Sequence, residues 1–216
     1  MTISALATAG GTLVLAVATF SSVRSANRSA RVAERSLMAG LRPVLIPSRE
    51  EDPVERIRFG DQQLVTVPGH GAAVLFTEDV IYLAVALRNG GSGLAVLHGW
   101  RVSHRRAVTP RNERGLAADQ TAPPLEEFRR QQIDLYIPAG ESGYWLGALR
   151  DPSEPMFQDL QAVDMEEEAV VVDLLYGDHE GGQRTIARFV VVDWPEVEGE
   201  RVTALRYWNV DREDPR

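Results

Sequence analysis

The densest run of ligand-type side chains is Asp178-His179-Glu180, set between Gly177 and Gly181-Gly182, with Asp173 upstream and Asp193 within reach if the flanking segments pair as a hairpin. Carboxylate oxygens suit a hard divalent cation and imidazole suits a softer one, so the group has the composition of a cation site. Turn chemistry accounts for the same residues without a ligand, because Gly and Asp are what a tight turn selects. The segment is therefore read as a solvated turn, and no metal ligand is assigned. A second group is basic: Arg101, His104, Arg105 and Arg106, continuing to Arg111 and Arg114. Guanidinium groups grip phosphate and carboxylate bidentately, so these residues could seat a phosphate, an acidic partner or a membrane face. The competing reading is pairing with the many nearby acids, which at a surface contributes little.

No further chemistry assembles. The 23 basic residues are all arginine, so a phosphate loop ending in Lys-Ser/Thr is excluded, and Gly69-His70-Gly71 is too short for a dinucleotide fingerprint. Ser92 and Ser142 each precede a glycine but lack the spacing of a nucleophile elbow. With no cysteine there is no disulfide, thiolate zinc site, iron–sulfur cluster or thiol nucleophile. A formal net charge of -8 argues against a nucleic-acid partner, whose phosphates demand clustered positive charge. No catalytic residue, metal or cofactor is expected, and the chain is not read as an enzyme. His98 falls on the apolar side of its segment and is read as a hydrogen-bonded core histidine. Trp100, Trp145, Trp194 and Trp208 are read as core or seam residues.

The elements that must carry these groups fall into two parts. From Thr2 to Val23 there is no ionisable side chain, and as a helix this stretch would span roughly 33 Å, about the hydrocarbon thickness of a bilayer. Residues 1–23 are accordingly expected to form a transmembrane helix. A cleaved secretory signal would need a charged n-region, and none precedes the run. Arg24, Arg28, Arg31 and Arg35 follow at spacings of 4, 3 and 4, along one helical stripe, with Ala26, Ala30, Ala33 and Leu37 near the opposite face. Residues 24–41 thus read as a basic juxtamembrane helix that contacts lipid headgroups or fixes topology, ending near Gly40 ahead of Pro43. Positive flanks stay on the cytoplasmic side, which places the N-terminus outside and the remaining domain in the cytoplasm; an exported domain is the alternative. Thr8, Thr12 and Ala16 recur every four positions and would allow self-association through this helix.

After Leu41 the apolar period changes to two. Ile81 to Leu87 is apolar on both faces, Asn89-Gly90-Gly91-Ser92-Gly93 makes a turn, and Leu94, Val96, His98, Trp100 and Val102 alternate again. A second hairpin joins Ala169 to Tyr176 with Thr185 to Trp194, and a third joins that strand to Val202 through Val210. Shorter runs at 43–47, 56–59, 63–67, 72–77, 133–137 and 144–149 complete a mainly β domain, residues 42–210, before a charged tail, 211–216. Short strands with Gly/Pro turns suggest an antiparallel β-sandwich. One short helix is expected within it, capped by Ser153, with Pro155 in its first turn and Met156, Leu160 and Val163 on one face. From Arg105 to Glu127 a long exposed loop is expected.

Leu41-Arg42-Pro43-Val44-Leu45, Asn89 through Ala95, Tyr176 through Thr185 and Arg206-Tyr207-Trp208-Asn209 together resemble uncharacterised single-pass bacterial membrane proteins. The resemblance implies an Ig-like β-sandwich on an N-terminal transmembrane helix, and no activity. The expected function is a membrane-tethered interaction or binding module with a bilayer and a protein as partners. The alternative is a metal-dependent enzyme or cation-binding domain built on the Asp178-His179-Glu180 turn. Charge is unevenly divided: residues 24–42 hold five arginines against one acid, and the rest 18 against 30.

Overall fold

The computed structural model describes residues 2–106, 121–163, 165, 168–193 and 200–213; for residues 2–10, 12, 14, 106 and 193 it describes the backbone alone. The chain divides into two compact units, Met1–Leu41 and Arg42–Arg216. The first is one helix, α1 (Thr2–Gly40). It closes with the Leu41 amide donating to the carbonyls of Leu37 at 3.1 Å and Met38 at 3.3 Å, before Pro43 forbids continuation. Among the described residues no helix is long and apolar enough to cross a membrane. From Gly11, Arg24 interrupts the apolar stretch after roughly 20 Å, against the roughly 30 Å a span requires. The transmembrane expectation for 1–23 rests in its first half on side chains outside the described residues.

The second unit is mainly β: β1 (Leu45–Pro47), β2 (Glu55–Arg58), β3 (Leu64–Val67), β4 (Gly71–Phe76), β5 (Ile81–Asn89), β6 (Ala95–Arg106), β7 (Arg129–Arg130), β8 (Tyr136–Ile137), β9 (Ser142–Leu149), α2 (Pro155–Gln161), β10 (Glu168–Gly177), β11 (Thr185–Asp193) and β12 (Glu200–Asn209). Ten strands form one antiparallel sheet in the order β1-β5-β4-β12-β11-β10-β6-β7, with β9 added to β5 and β8 to β6. The β2–β3 hairpin pairs separately. Between β4 and β12 the ladder is only Glu200↔Ala72 and Arg201↔Gly71. On the two sides of this narrow link, β5 and β9 share one core cluster with β6, β10 and β11. A single sheet does this by folding back on itself, and a two-residue ladder resists such bending least. The hydrogen bonding thus gives a large antiparallel sheet, and a sandwich of two separate sheets is not shown.

The two faces of β5 explain its unbroken apolar sequence. Ile81, Leu83, Val85 and Leu87 enter the main core, while Tyr82, Ala84 and Ala86 meet a smaller cluster with Ile57, Phe59, Val65 and Val67 of the β2–β3 hairpin. Phe59 stacks edge-on against Tyr82 at 4.9 Å. At the end of β5, Asn89 is fully buried. Its side-chain amide donates to the carbonyls of Gly93 at 2.7 Å and Ile137 at 3.0 Å, and accepts from the amides of Val44 at 3.1 Å and Gly91 at 3.0 Å. A Cβ on Gly91 would meet the Arg42 carbonyl at 2.2 Å, so only glycine lets the chain entering β1 pass there.

Two bulges correct the expected alternation. In β6 the register shifts between Leu175 and Tyr176, which pair with Gly99 and Leu97, so His98 is the extra residue. Core residues change phase there, from Ala95 and Leu97 to Trp100 and Val102. His98 is thus half-buried and outside the core, and its Nε2 is enclosed without a hydrogen-bond partner among the described residues. In β12 a shift between Arg188 and Phe189 similarly skips Leu205. α2 follows Glu154 rather than Ser153, whose hydroxyl instead donates to Asp151 at 2.6 Å; Phe157 and Leu160 are its buried residues. Of the expected loop from Arg105, Arg105 and Arg106 extend β6, opposite Ala169 and Glu168, and residues 107–120 lie outside the described residues.

Candidate functional site

The basic group splits once the strands pair. Register sets Asp173 of β10 opposite Arg101 of β6 and Arg188 of β11. Arg188 donates to both Asp173 oxygens, Nε at 2.6 Å and Nη2 at 2.9 Å, while Arg101 Nη1 donates at 3.1 Å and its Nε meets Glu127 at 2.7 Å. Arg188 and Arg206 both lie over the Trp208 ring, at 5.0 and 5.6 Å. The result is a row of charged and aromatic side chains running across four strands, buried at Asp173, Arg188 and Trp208. Arg101, read from the sequence as an anion seat, therefore already carries two carboxylates.

His104 stands between acids, its Nε2 3.1 Å from Asp159 of α2 and its Nδ1 3.4 Å from Glu168, the latter without hydrogen-bond geometry. Beside it a cavity of about 490 Å³ runs along Arg101, Ser103, Glu127, Arg129, Met156 and Asp159. Arg129 there grips Glu154 bidentately at 2.8 and 3.2 Å and lies 5.3 Å from the Trp100 ring centre. The side chain of Arg106, together with Arg111 and Arg114, lies outside the described residues.

The Asp178-His179-Glu180 segment forms a turn. Asp178 is buried and accepts from the Gly182 amide at 2.9 Å and Gln183 Nε2 at 3.1 Å, and Gln183 in turn accepts from Arg212 at 2.8 Å. His179 and Glu180 are exposed and 4.0 Å apart. Asp173 belongs to the arginine row, and the side chain of Asp193 lies outside the described residues. Among the described residues no group of three or more His, Asp or Glu is arranged to hold a metal ion. Trp100 and Trp145 are buried and meet edge-on at 5.5 Å, with the Trp145 indole donating to Gln131 at 3.2 Å; Trp208 is buried and Trp194 lies outside the described residues.

Sequence reasoning missed a pocket of about 320 Å³ lined by Arg42, Tyr176, Thr185, Arg206, Tyr207 and Asn209. Arg42 Nη2 donates to Thr185 Oγ1 at 3.2 Å and to Asn209 Oδ1. Two tyrosines clamp β1 at the rear: the Leu45 amide donates to the Tyr176 hydroxyl at 3.3 Å, and Tyr207 donates to the Leu45 carbonyl at 2.6 Å. Burial raises the pKa of Tyr176 well above its ordinary range and that of Tyr207 to about 12, so both hydroxyls stay neutral, Tyr176 as acceptor and Tyr207 as donor. The available signal was the alternation of Arg206-Tyr207-Trp208-Asn209, which sends Tyr207 and Asn209 to the pocket face of β12 and Arg206 and Trp208 to the other.

Compared with known proteins, the chain matches no protein-family model, no curated protein and no solved structure. The likeness to single-pass bacterial membrane proteins therefore rests on the quoted segments alone.

Proposed function

We propose that the protein is a binding module whose β unit is held at a membrane by α1. The observation that carries this reading is the uncovered apolar surface of that helix. Leu13, Leu15, Val17 and Phe20 are each more than 60% exposed, at 67, 69, 63 and 69%. Apolar area left in water costs about 25 cal/mol per Å², so such a surface favours a cover. A bilayer is the favoured cover because no ionisable side chain occurs from Thr2 to Val23. The hydroxyls of Thr19 and Ser21 also donate to the carbonyls of Leu15 and Ala18, each at 2.8 Å, which lowers the cost of placing them in lipid. Arg24, Arg28, Arg31 and Arg35 then supply a positive flank, each arginine contributing on the order of 1 kcal/mol beside anionic lipid. That flank supports an N-terminus outside and a cytoplasmic β unit.

The test is alkaline carbonate washing of membranes from cells expressing the full chain, followed by flotation. Retention in the lipid layer is expected, with release by the double substitution of Leu15→Glu and Val17→Glu. Recovery of the unsubstituted chain in the wash overturns the reading. A cytoplasm-active reporter fused after Arg216 should be active, and activity of a periplasm-only reporter reverses the orientation.

A further inference from the structure

We infer that the groove along α1 lined by Phe20, Val23, Arg24, Asn27, Arg28 and Arg31 is a binding site for one anionic phospholipid whose headgroup carries two phosphates. This deepens the membrane reading and takes from it only the end of the groove at which the acyl chains lie. α1 runs without a break through the change from apolar to basic sequence, so these side chains fall along one side of it. The groove between them has a volume of about 600 Å³. Phe20 and Val23 make its N-terminal end apolar, and the arginines make the other end basic. An acyl chain on the first and a phosphate on the second match that order, whereas a free phosphate compound leaves the apolar end uncovered.

Charge selects the headgroup. In the β unit Arg101, Arg129, Arg150, Arg184, Arg188 and Arg201 each meet a carboxylate. Arg24, Arg28, Arg31 and Arg35 are exposed and meet none among the described residues. They follow one another at four, three and four residues, the spacing at which like charges repel on a helix. A phosphodiester with one charge offsets one guanidinium and leaves most of that repulsion in place. Two phosphates joined in one headgroup offset two, and the second binds at the high effective concentration set by the link. Side chains on a helix lean toward its N-terminus, so Arg28 and Arg31, roughly 6 and 10 Å beyond Arg24 along the axis, reach back toward it. A guanidinium offers five N–H donors to phosphate oxygens, and the Asn27 amide adds two.

The test counts bound lipids by native mass spectrometry of the full chain in uncharged detergent. The chain is titrated with cardiolipin, which carries two phosphates in one headgroup, or with phosphatidylglycerol, which carries one. Half-saturation is expected at about tenfold less total phosphate for cardiolipin. Arg28→Gln combined with Arg31→Gln should bring the two lipids to equal affinity per phosphate. Arg56→Gln combined with Arg58→Gln, the same charge change at two exposed positions of β2, should leave the preference as in wild type. Equal affinity per phosphate in wild type, a preference that survives in the α1 variant, or one lost in the β2 variant overturns the site. The membrane reading is decided separately by the carbonate wash: retention in the lipid layer without a cardiolipin preference removes this inference alone. Recovery in the wash, with a preference that the α1 variant abolishes, removes the membrane reading and keeps the phospholipid site.

Discussion

Asp173 on β10 and Arg188 on β11 are direct register partners, joined through both carboxylate oxygens at 2.6 and 2.9 Å, and are only 0% and 3% exposed. A buried ion pair gains little over apolar residues of the same size, but breaking one costs far more, because a charge is left in a poor solvent. Asp173→Ala is therefore expected to destabilise the β unit by about 3–5 kcal/mol in urea unfolding. Replacing Asp173 and Arg188 together by Leu and Met should cost clearly less than the single change, which a double-mutant cycle measures.

Asn89 satisfies four hydrogen-bonding groups at once and fixes the β1 entry to the loop before β6. Asn89→Ala strands buried donors and acceptors, each costing about 1–3 kcal/mol, and part of this is recovered by relaxation. A loss of about 2–4 kcal/mol is expected from denaturant titration. Asn89→Asp should also destabilise, since it replaces the amide that donates to Gly93 and Ile137 with a group that only accepts.

The β2–β3 turn is held to β5 by Asp61, which accepts from the Tyr82 hydroxyl at 2.6 Å and pairs with Arg150. The Tyr82 hydroxyl and then Arg150 lower the Asp61 pKa to about 2. A carboxylate depressed in the folded state stabilises above its unfolded value near 3.8 and loses that contribution as pH falls toward 2. Tyr82→Phe should flatten the stability profile between about pH 4 and 2, leaving the profile between about pH 5 and 8 parallel to wild type. An unchanged acid limb would show that Asp61 is not what the hairpin depends on.

His98 behaves in the same sense for a different reason. Burial, and secondarily the charge of Arg184, lowers its pKa from 6.5. Between its folded and unfolded values the unfolded chain binds more protons, so stability falls as pH drops below about 6.5. His98→Gln should remove that slope when thermal midpoints are compared at pH 5.5 and 7.5. Gly177→Ala should destabilise at both pH values, because a Cβ there would lie 3.0 Å from His98 Nε2.

Much of the β pattern was legible because alternation and turn residues are local. Asn89-Gly90-Gly91-Ser92-Gly93 marks the end of β5 in sequence as it does in space, and Pro155 sits at the first turn of α2. The candidate site was less legible. Read along the chain, Arg101 and Asp173 belonged to different groups, the basic run after Trp100 and the acidic residues around the turn at 178, yet pairing makes them partners. His98 was misplaced because a single bulge reverses which side of β6 faces inward, and no local residue pattern announced it.

By itself the sequence determined the helix ending at Gly40, most strand positions, and the division of charge between an arginine-rich stem and an acidic body. Those properties depend on neighbours a few residues apart, through backbone preference, periodicity and composition. Only the tertiary structure decided that one sheet folds back on its own core, that Asp173 is an arginine's partner, and that Arg42 reaches Thr185 and Asn209. Arg42 and Asn209 are far apart in the chain, and their meeting depends on strand register and bulges, which are fixed by packing across the whole sheet.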